Sequence, residues 1–332
     1  MTAQRRALAF GVALAALACA ALAYLSWAPV GDAPPHPFNQ DRNAVWLESR
    51  WLKRSQPPEE VEALFGTLER HGVRYVYPHL IPFSTGGRLP VDDREPMRAF
   101  LAAARRASPD LRILPWVGGL RVGYKRQRAG TLDLADLGQR QRIVAECRGL
   151  MDEGFDGIHL NVEPVDGGNV DFLALLRAMR TAIGPNRLLS LSAIRPGPVA
   201  LPFAPNFVWT TGYYLRVAAV ADQIVVMAYD TGLPTANLYR RYVAYAAGAV
   251  TRALAGTRAR VLLGVPTYDE TGFMHRAAVE TPDNALAGIV AGLRGTGGGG
   301  TFEGVALYAE WTTDPQEWAT YERLWRGRAA AP

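Results

Sequence analysis

The stretch that decides the fold runs from Phe155 to Ile194. It opens with Phe155-Asp156-Gly157-Ile158-His159-Leu160-Asn161-Val162-Glu163-Pro164, continues into Val170–Ile183, and closes with Leu188–Ile194. The first piece alternates in period two, which puts His159, Asn161 and Glu163 on one face and Ile158, Leu160 and Val162 on the other. The second piece repeats its apolar residues at helical spacing. The third is again short and apolar. A strand, a helix and a second strand in that order form a crossover unit with parallel strands.

The unit recurs along the chain. Strands are expected at Ala44–Glu48, Val73–Leu80, Leu111–Gly118, Phe155–Glu163, Leu188–Ile194, Gln223–Asp230, Arg260–Tyr268 and Gly304–Trp311. Between them, helical spacing marks Pro57–His71, Arg94–Ala107, Leu137–Gly154, Val170–Ile183, Pro205–Ala221, Asn237–Ala255, Thr281–Leu293 and Asp314–Trp325. Eight strands that each feed a helix predict one (β/α)8 TIM barrel spanning residues 44–328, an α/β fold. The competing open doubly wound sheet usually brings a glycine-rich phosphate loop after its first strand, and Trp46–Arg54 holds no glycine. Gly297–Gly300 reads as a loop, since no lysine follows it to complete a phosphate cradle.

Composition narrows the function. With 332 residues, 49% of them hydrophobic, the chain has material for a large core and is no disordered tail or disulfide scaffold. Basic residues outnumber acidic ones by 36 to 31, but the arginines are scattered, which argues against a nucleic-acid partner. Cys19 and Cys147 are too few for a disulfide framework or a four-ligand zinc site. His159, Asn161 and Glu163 do not follow a recognised metal-ligand spacing, and no cofactor motif is visible. The expectation is therefore no metal and no cofactor.

The N-terminus sets an address. Arg5 and Arg6 precede the apolar run Ala7–Val30, which is long enough to span a bilayer. Ala21-Leu22-Ala23 offers a small-residue cleavage site, so residues 1–30 read as a membrane anchor or a cleaved signal. Either way the arginines stay inside and the remainder is exported. Residues 31–43, with Pro34, Pro35 and Pro37, read as a linker.

In a (β/α)8 barrel the chemistry sits at the C-terminal ends of the strands. Three polar residues facing the interior of the fourth strand are costly unless hydrogen-bonded or used. With the residues that close other strands, they resemble the family-18 glycoside hydrolases, the chitinase-like barrels. That family's fourth strand carries DGxDxDxE; here Asp156, Gly157 and Glu163 match, while His159 and Asn161 stand at the two middle aspartates. Trp116-Val117-Gly118-Gly119 resembles the SxGG motif with tryptophan for serine. Met227-Ala228-Tyr229-Asp230 matches MxYD, Gly264–Tyr268 resembles GxPxY, and Gly304–Tyr308 resembles GxMxW with tyrosine for tryptophan.

The resemblance implies a glycan substrate carrying N-acetylhexosamine and a substrate-assisted mechanism, outside the usual two-carboxylate scheme. It implies Glu163 as the acid, Asn161 as an uncharged substitute for the orienting aspartate, and Tyr229 as a partner of the acetamido group. It implies sugar contacts from Asp230 and an apolar floor from Tyr308. Beside it, the residues themselves place His159 with the substrate-facing set and make Trp116 and Trp311 candidate stacking surfaces. Asp156, on the opposite parity, reads as structural. Two alternatives stay open: a two-carboxylate glycosidase pairing Glu163 with Glu310, Asp230, Asp269 or Glu270, and a sugar-binding barrel without catalysis.

Overall fold

In the computed structural model, residues 3–27, 38–122, 131–197, 208–296 and 300–328 are described. Residues 28–30 of the expected anchor or signal segment, 31–37 of the expected linker, Pro205–Phe207 of an expected helix and most of the glycine run lie outside them. The chain opens with helix α1 (Ala3–Trp27). The first half of the barrel then runs β1 (Asn43–Leu47), α2 (Arg50–Lys53), α3 (Pro58–Arg70), β2 (Val73–Pro78), α4 (Glu95–Ala107), β3 (Arg112–Ile113), β4 (Trp116–Arg121) and β5 (Thr131–Leu132). After α5 (Leu137–Asp152) come β6 (Gly157–Glu163), α6 (Val170–Ile183), β7 (Leu188–Ala193), α7 (Thr211–Ala218), β8 (Gln223–Val226) and α8 (Ala236–Ala253). The chain closes with β9 (Arg260–Pro266), α9 (Pro282–Arg294), β10 (Phe302–Tyr308) and α10 (Pro315–Tyr321), which runs into a π turn over Glu322–Arg326.

All strand pairings are parallel, in the order β3-β2-β1-β10-β9-β8-β7-β6-β4-β5. The ring closes where β3 and β4 act as two halves of one strand. Leu114 N–H donates to Val76 C=O on one side of the break, and Leu80 N–H donates to Trp116 C=O on the other (both 3.0 Å). A bridge between His79 and Trp116 completes the seam. The single strand expected at Leu111–Gly118 is thus interrupted at Leu114-Pro115, because Pro115 has no N–H to give a ladder. β5 is an addition at the rim, paired to β4 beyond the expected strand.

Local sequence explains the helix starts. Asn169 caps α6 by accepting from Phe172 N–H (2.8 Å), Asp136 caps α5, and Asp314 with Glu317 forms a capping box on α10. The expected helix at Pro205–Ala221 is shorter, starting where Thr210 accepts from Tyr213 N–H. Strand alternation then sorts the core into two shells. Ile158, Leu160 and Val162 pack outward against the helices, whereas Ala44, Trp46, Tyr75, Tyr77, Val225 and Leu262 fill the barrel.

Helix α1 is different. Its segment Phe10–Trp27 has a mean hydropathy of 1.9, none of it is buried, and among the described residues it is the one helix long and apolar enough to cross a membrane. It meets the barrel near its last turn, where Asn237 Nδ2 of α8 donates to the Ser26 carbonyl (2.9 Å) and Arg241 Nε to the Leu25 carbonyl (3.2 Å).

Candidate active site

The interior polar residues occupy levels along the barrel axis. At the floor, Glu303 accepts from Tyr75 Oη (2.8 Å) and Arg42 (3.0 Å). Above it Gln223 Oε1 accepts from Tyr77 Oη (2.7 Å) and Ser190 Oγ (2.8 Å). His159 sits next, fully buried, with its ring stacked on Tyr77 at 3.9 Å. Trp46 Nε1–H donates to His159 Nε2 (3.2 Å), which fixes the proton on Nδ1 and points it at Ser190 Oγ (2.8 Å). Burial pushes the His159 pKa down to about 3, so the ring is neutral. The substrate-facing role expected of His159 is therefore corrected: it has the right face but lies too deep, and both ring nitrogens are engaged in the core.

Asn161 and Glu163 stand higher on the same strand, and both are part-exposed. They open onto a cavity of about 230 Å3 lined by His79, Pro82, Trp116, Leu120, Asn161 and Glu163. Burial raises the Glu163 pKa above the ordinary carboxyl value, hydrogen bonding from Asn161 opposes the shift, the Asp230 charge adds to it, and Arg195 opposes it. Asn161 Oδ1 is buried and has no hydrogen-bond partner. An orphaned acceptor beside a protonatable carboxyl is an arrangement that a donor on a bound molecule would complete.

Aromatic rings wall the mouth, with Tyr308 at their centre. It stacks on Tyr229 (5.5 Å, 21°) and meets Trp46, Trp116, Tyr268 and Trp311 edge-on at 5.4 to 6.1 Å. Trp311 is exposed and Trp116 half-buried. Burial drives the Tyr229 hydroxyl well above its ordinary pKa and that of Tyr308 up to about 12, so both remain O–H donors. The chain leaves the β8 ladder before Tyr229. Asp230 turns it in the left-handed region (φ 55°), with Oδ1 accepting from Tyr268 Oη at 2.5 Å.

Sequence reading missed His79, which packs on Trp116 at 4.1 Å and whose pKa burial lowers to about 4. Its signal was its place just past β2. Asp156 is structural: its carboxylate holds Arg105 (2.5 Å), Arg112 (3.1 Å) and the Ile113 N–H (2.8 Å). Glu310 is drawn aside, with Oε2 at 3.4 Å from both Trp51 Nε1 and the Glu48 N–H, and does not line the cavity. Asp269 and Glu270 are exposed in the loop after β9. A larger cleft, about 950 Å3 and lined by His71, Trp318, Glu322 and Arg326, lies at the opposite end, where (β/α)8 barrels do not build their active sites. Among the described residues, the group with metal-ligand composition is Asp230, His275 and Glu280, at the edge of the mouth.

Solved structures with the same architecture are numerous. The Bacillus cereus spore cortex-lytic enzyme SleL superposes with a TM-score of 0.59 at 12% identity, covering 90% of this chain and 76% of that one. The C-terminal domain of a putative chitinase from Desulfitobacterium hafniense gives 0.58 at 13%, covering 89% and 98%. A chitinase from Chromobacterium violaceum gives 0.56 at 13%, covering 85% and 98%. The fold is that of the chitinase-like barrels. At the level of sequence, no family model and no curated protein matches the chain.

Proposed function

We propose that the chain is an exported glycoside hydrolase that cleaves a glycan carrying N-acetylhexosamine, with Glu163 as the acid and the substrate's own acetamido group as the nucleophile. The observation that carries this reading is the pairing of Glu163, whose pKa is raised by burial, with the unpartnered Asn161 Oδ1 in one cavity. Chitinases and a spore cortex-lytic enzyme among the structures of the same fold agree with it.

The Glu163 O–H donates its proton to the glycosidic oxygen as the bond to the anomeric carbon breaks. The acetamido carbonyl oxygen closes on that carbon, and Asn161 Oδ1 accepts the acetamido N–H to hold it in line. The resulting Glu163 carboxylate then takes a proton from the water that opens the ring, which restores the acid. Tyr229 Oη donates to the acetamido group, Asp230 binds sugar hydroxyls, Tyr308 forms the floor, and Trp116 and Trp311 stack on neighbouring rings. Asn161 orients without carrying charge, so positive charge developing on the acetamido group is offset less than an aspartate would offset it.

Substrate assistance is tested by comparing N-acetylglucosamine oligomers with their de-N-acetylated counterparts. Turnover of the acetylated oligomers alone is expected; equal turnover of both would point to a second carboxylate. Binding of the acetylated oligomers without turnover would identify a carbohydrate-binding barrel.

A further inference from the structure

A second constellation of polar groups lies at the edge of the mouth, where the turn after β8 meets the loop between β9 and α9. His275 and Glu280 are almost completely buried, at 4% and 1% exposure, and Asp230 is half-exposed beside them. His275 Nδ1 lies 3.2 Å from Asp230 Oδ1 and 3.4 Å from Glu280 Oε2, yet His275 Nδ1 and Glu280 Oε2 have no hydrogen-bond partner. Burying two such atoms face to face is costly unless something sits between them.

The other atom of each buried group is occupied. His275 Nε2 lies 3.2 Å from the Tyr268 carbonyl, which can only accept, so Nε2 carries the proton and Nδ1 presents its lone pair. Glu280 Oε1 accepts from Thr231 N–H (2.9 Å), Thr231 Oγ1–H (2.8 Å) and Gly232 N–H (3.3 Å), which leaves Oε2 free. Tyr268 Oη donates to Asp230 Oδ1. Outer partners that fix a histidine tautomer and orient carboxylates are what metal ligands characteristically have. The spacing agrees as well. Ligands about 2.0–2.1 Å from a tetrahedral zinc ion lie about 3.3 Å apart, close to the two N···O separations of 3.2 and 3.4 Å, and all three ligand atoms lie within 4.8 Å of one another.

We propose that Asp230, His275 and Glu280 bind a divalent cation of the zinc class, with a fourth position open to water. The ion joins the β8 turn to the β9–α9 loop and so fixes one side of the mouth. No spacing pattern in the sequence signals it, because Asp230 belongs to a different loop from the other two.

The test uses the full chain, stripped with chelator and titrated with Zn2+ alone. Bound metal is counted after desalting, affinity is read by calorimetry, and Tm is followed with and without metal. One zinc per chain and a zinc-dependent rise in Tm are expected. Glu280→Gln keeps an acceptor for Thr231, and both it and His275→Gln should weaken uptake at least about tenfold. His71→Ala, at the far end of the barrel, should leave uptake unchanged. If Glu280→Gln does not fold, His275→Gln decides. No stoichiometric uptake, or uptake indifferent to both variants, overturns the proposal. So does a Glu280→Gln variant that loses Tm in a protein that never takes up metal, since that identifies an imidazolium bridging two carboxylates.

Discussion

At the scale of single residues, His159 and Glu163 differ in depth and so in chemistry. Both share one face of β6, and a period-two reading cannot separate them, because alternation gives the face and not the depth. Depth is set by Trp46, Tyr77 and Ser190, which reach His159 from three other strands. Glu163, at the strand's end, keeps a raised pKa through burial. Its acid form persists to higher pH than an ordinary carboxyl, and kcat/KM is expected to fall as pH rises through that value. The same shift costs stability, because the folded state holds the proton longer than the unfolded chain, whose carboxyl titrates near 4.3. Stability is therefore lost between that pH and the folded pKa, and Glu163→Gln should raise Tm at pH 8 while differing little at pH 4. Asn161→Asp restores a charge beside the acetamido group and is expected to raise kcat by about tenfold or more. Its like charge also lifts the Glu163 pKa, so the alkaline limb of the pH profile should move upward.

At the scale of elements, all eight barrel strands were legible from apolar runs and turn residues, and their ends were less so. The third was broken by Pro115, and the sixth left its ladder after Val226 although the apolar run continued to Ala228. Strand ends depend on what the neighbouring strand offers, and the sequence of one strand does not carry that. One glycine shows the coupling between fold and site. A Cβ on Gly118 would lie 1.7 Å from the Asn161 carbonyl oxygen, so β4 approaches β6 as closely as it does only because position 118 is bare. Gly118→Ala is expected to cost about 1–3 kcal/mol by overpacking. It should also lower activity out of proportion to the loss of fold, because Asn161 must shift. Denaturant unfolding beside kcat measurements checks both parts.

At the scale of the whole molecule, α1 touches α8 near its last turn and leaves the apolar segment Phe10–Trp27 unburied. We expect the barrel to lie on the side of the membrane away from the cytoplasm, a placement that proteolysis of cells before and after that membrane is permeabilised would read. A barrel that stays protected until the membrane is breached would contradict it. The barrel and its mouth were readable from strand order and strand-end residues, whereas His79, His275 and Glu280 come from loops or strand edges whose partners only folding reveals. The most direct measurement is hydrolysis of N-acetylglucosamine oligosaccharides by the wild type and by Glu163→Gln, with sugar binding measured in parallel. Turnover by the wild type and a loss of at least about 100-fold in the variant, with binding retained, are expected if Glu163 is the acid. Undiminished turnover in Glu163→Gln, or a wild type that binds the oligosaccharides and never cleaves them, would contradict it.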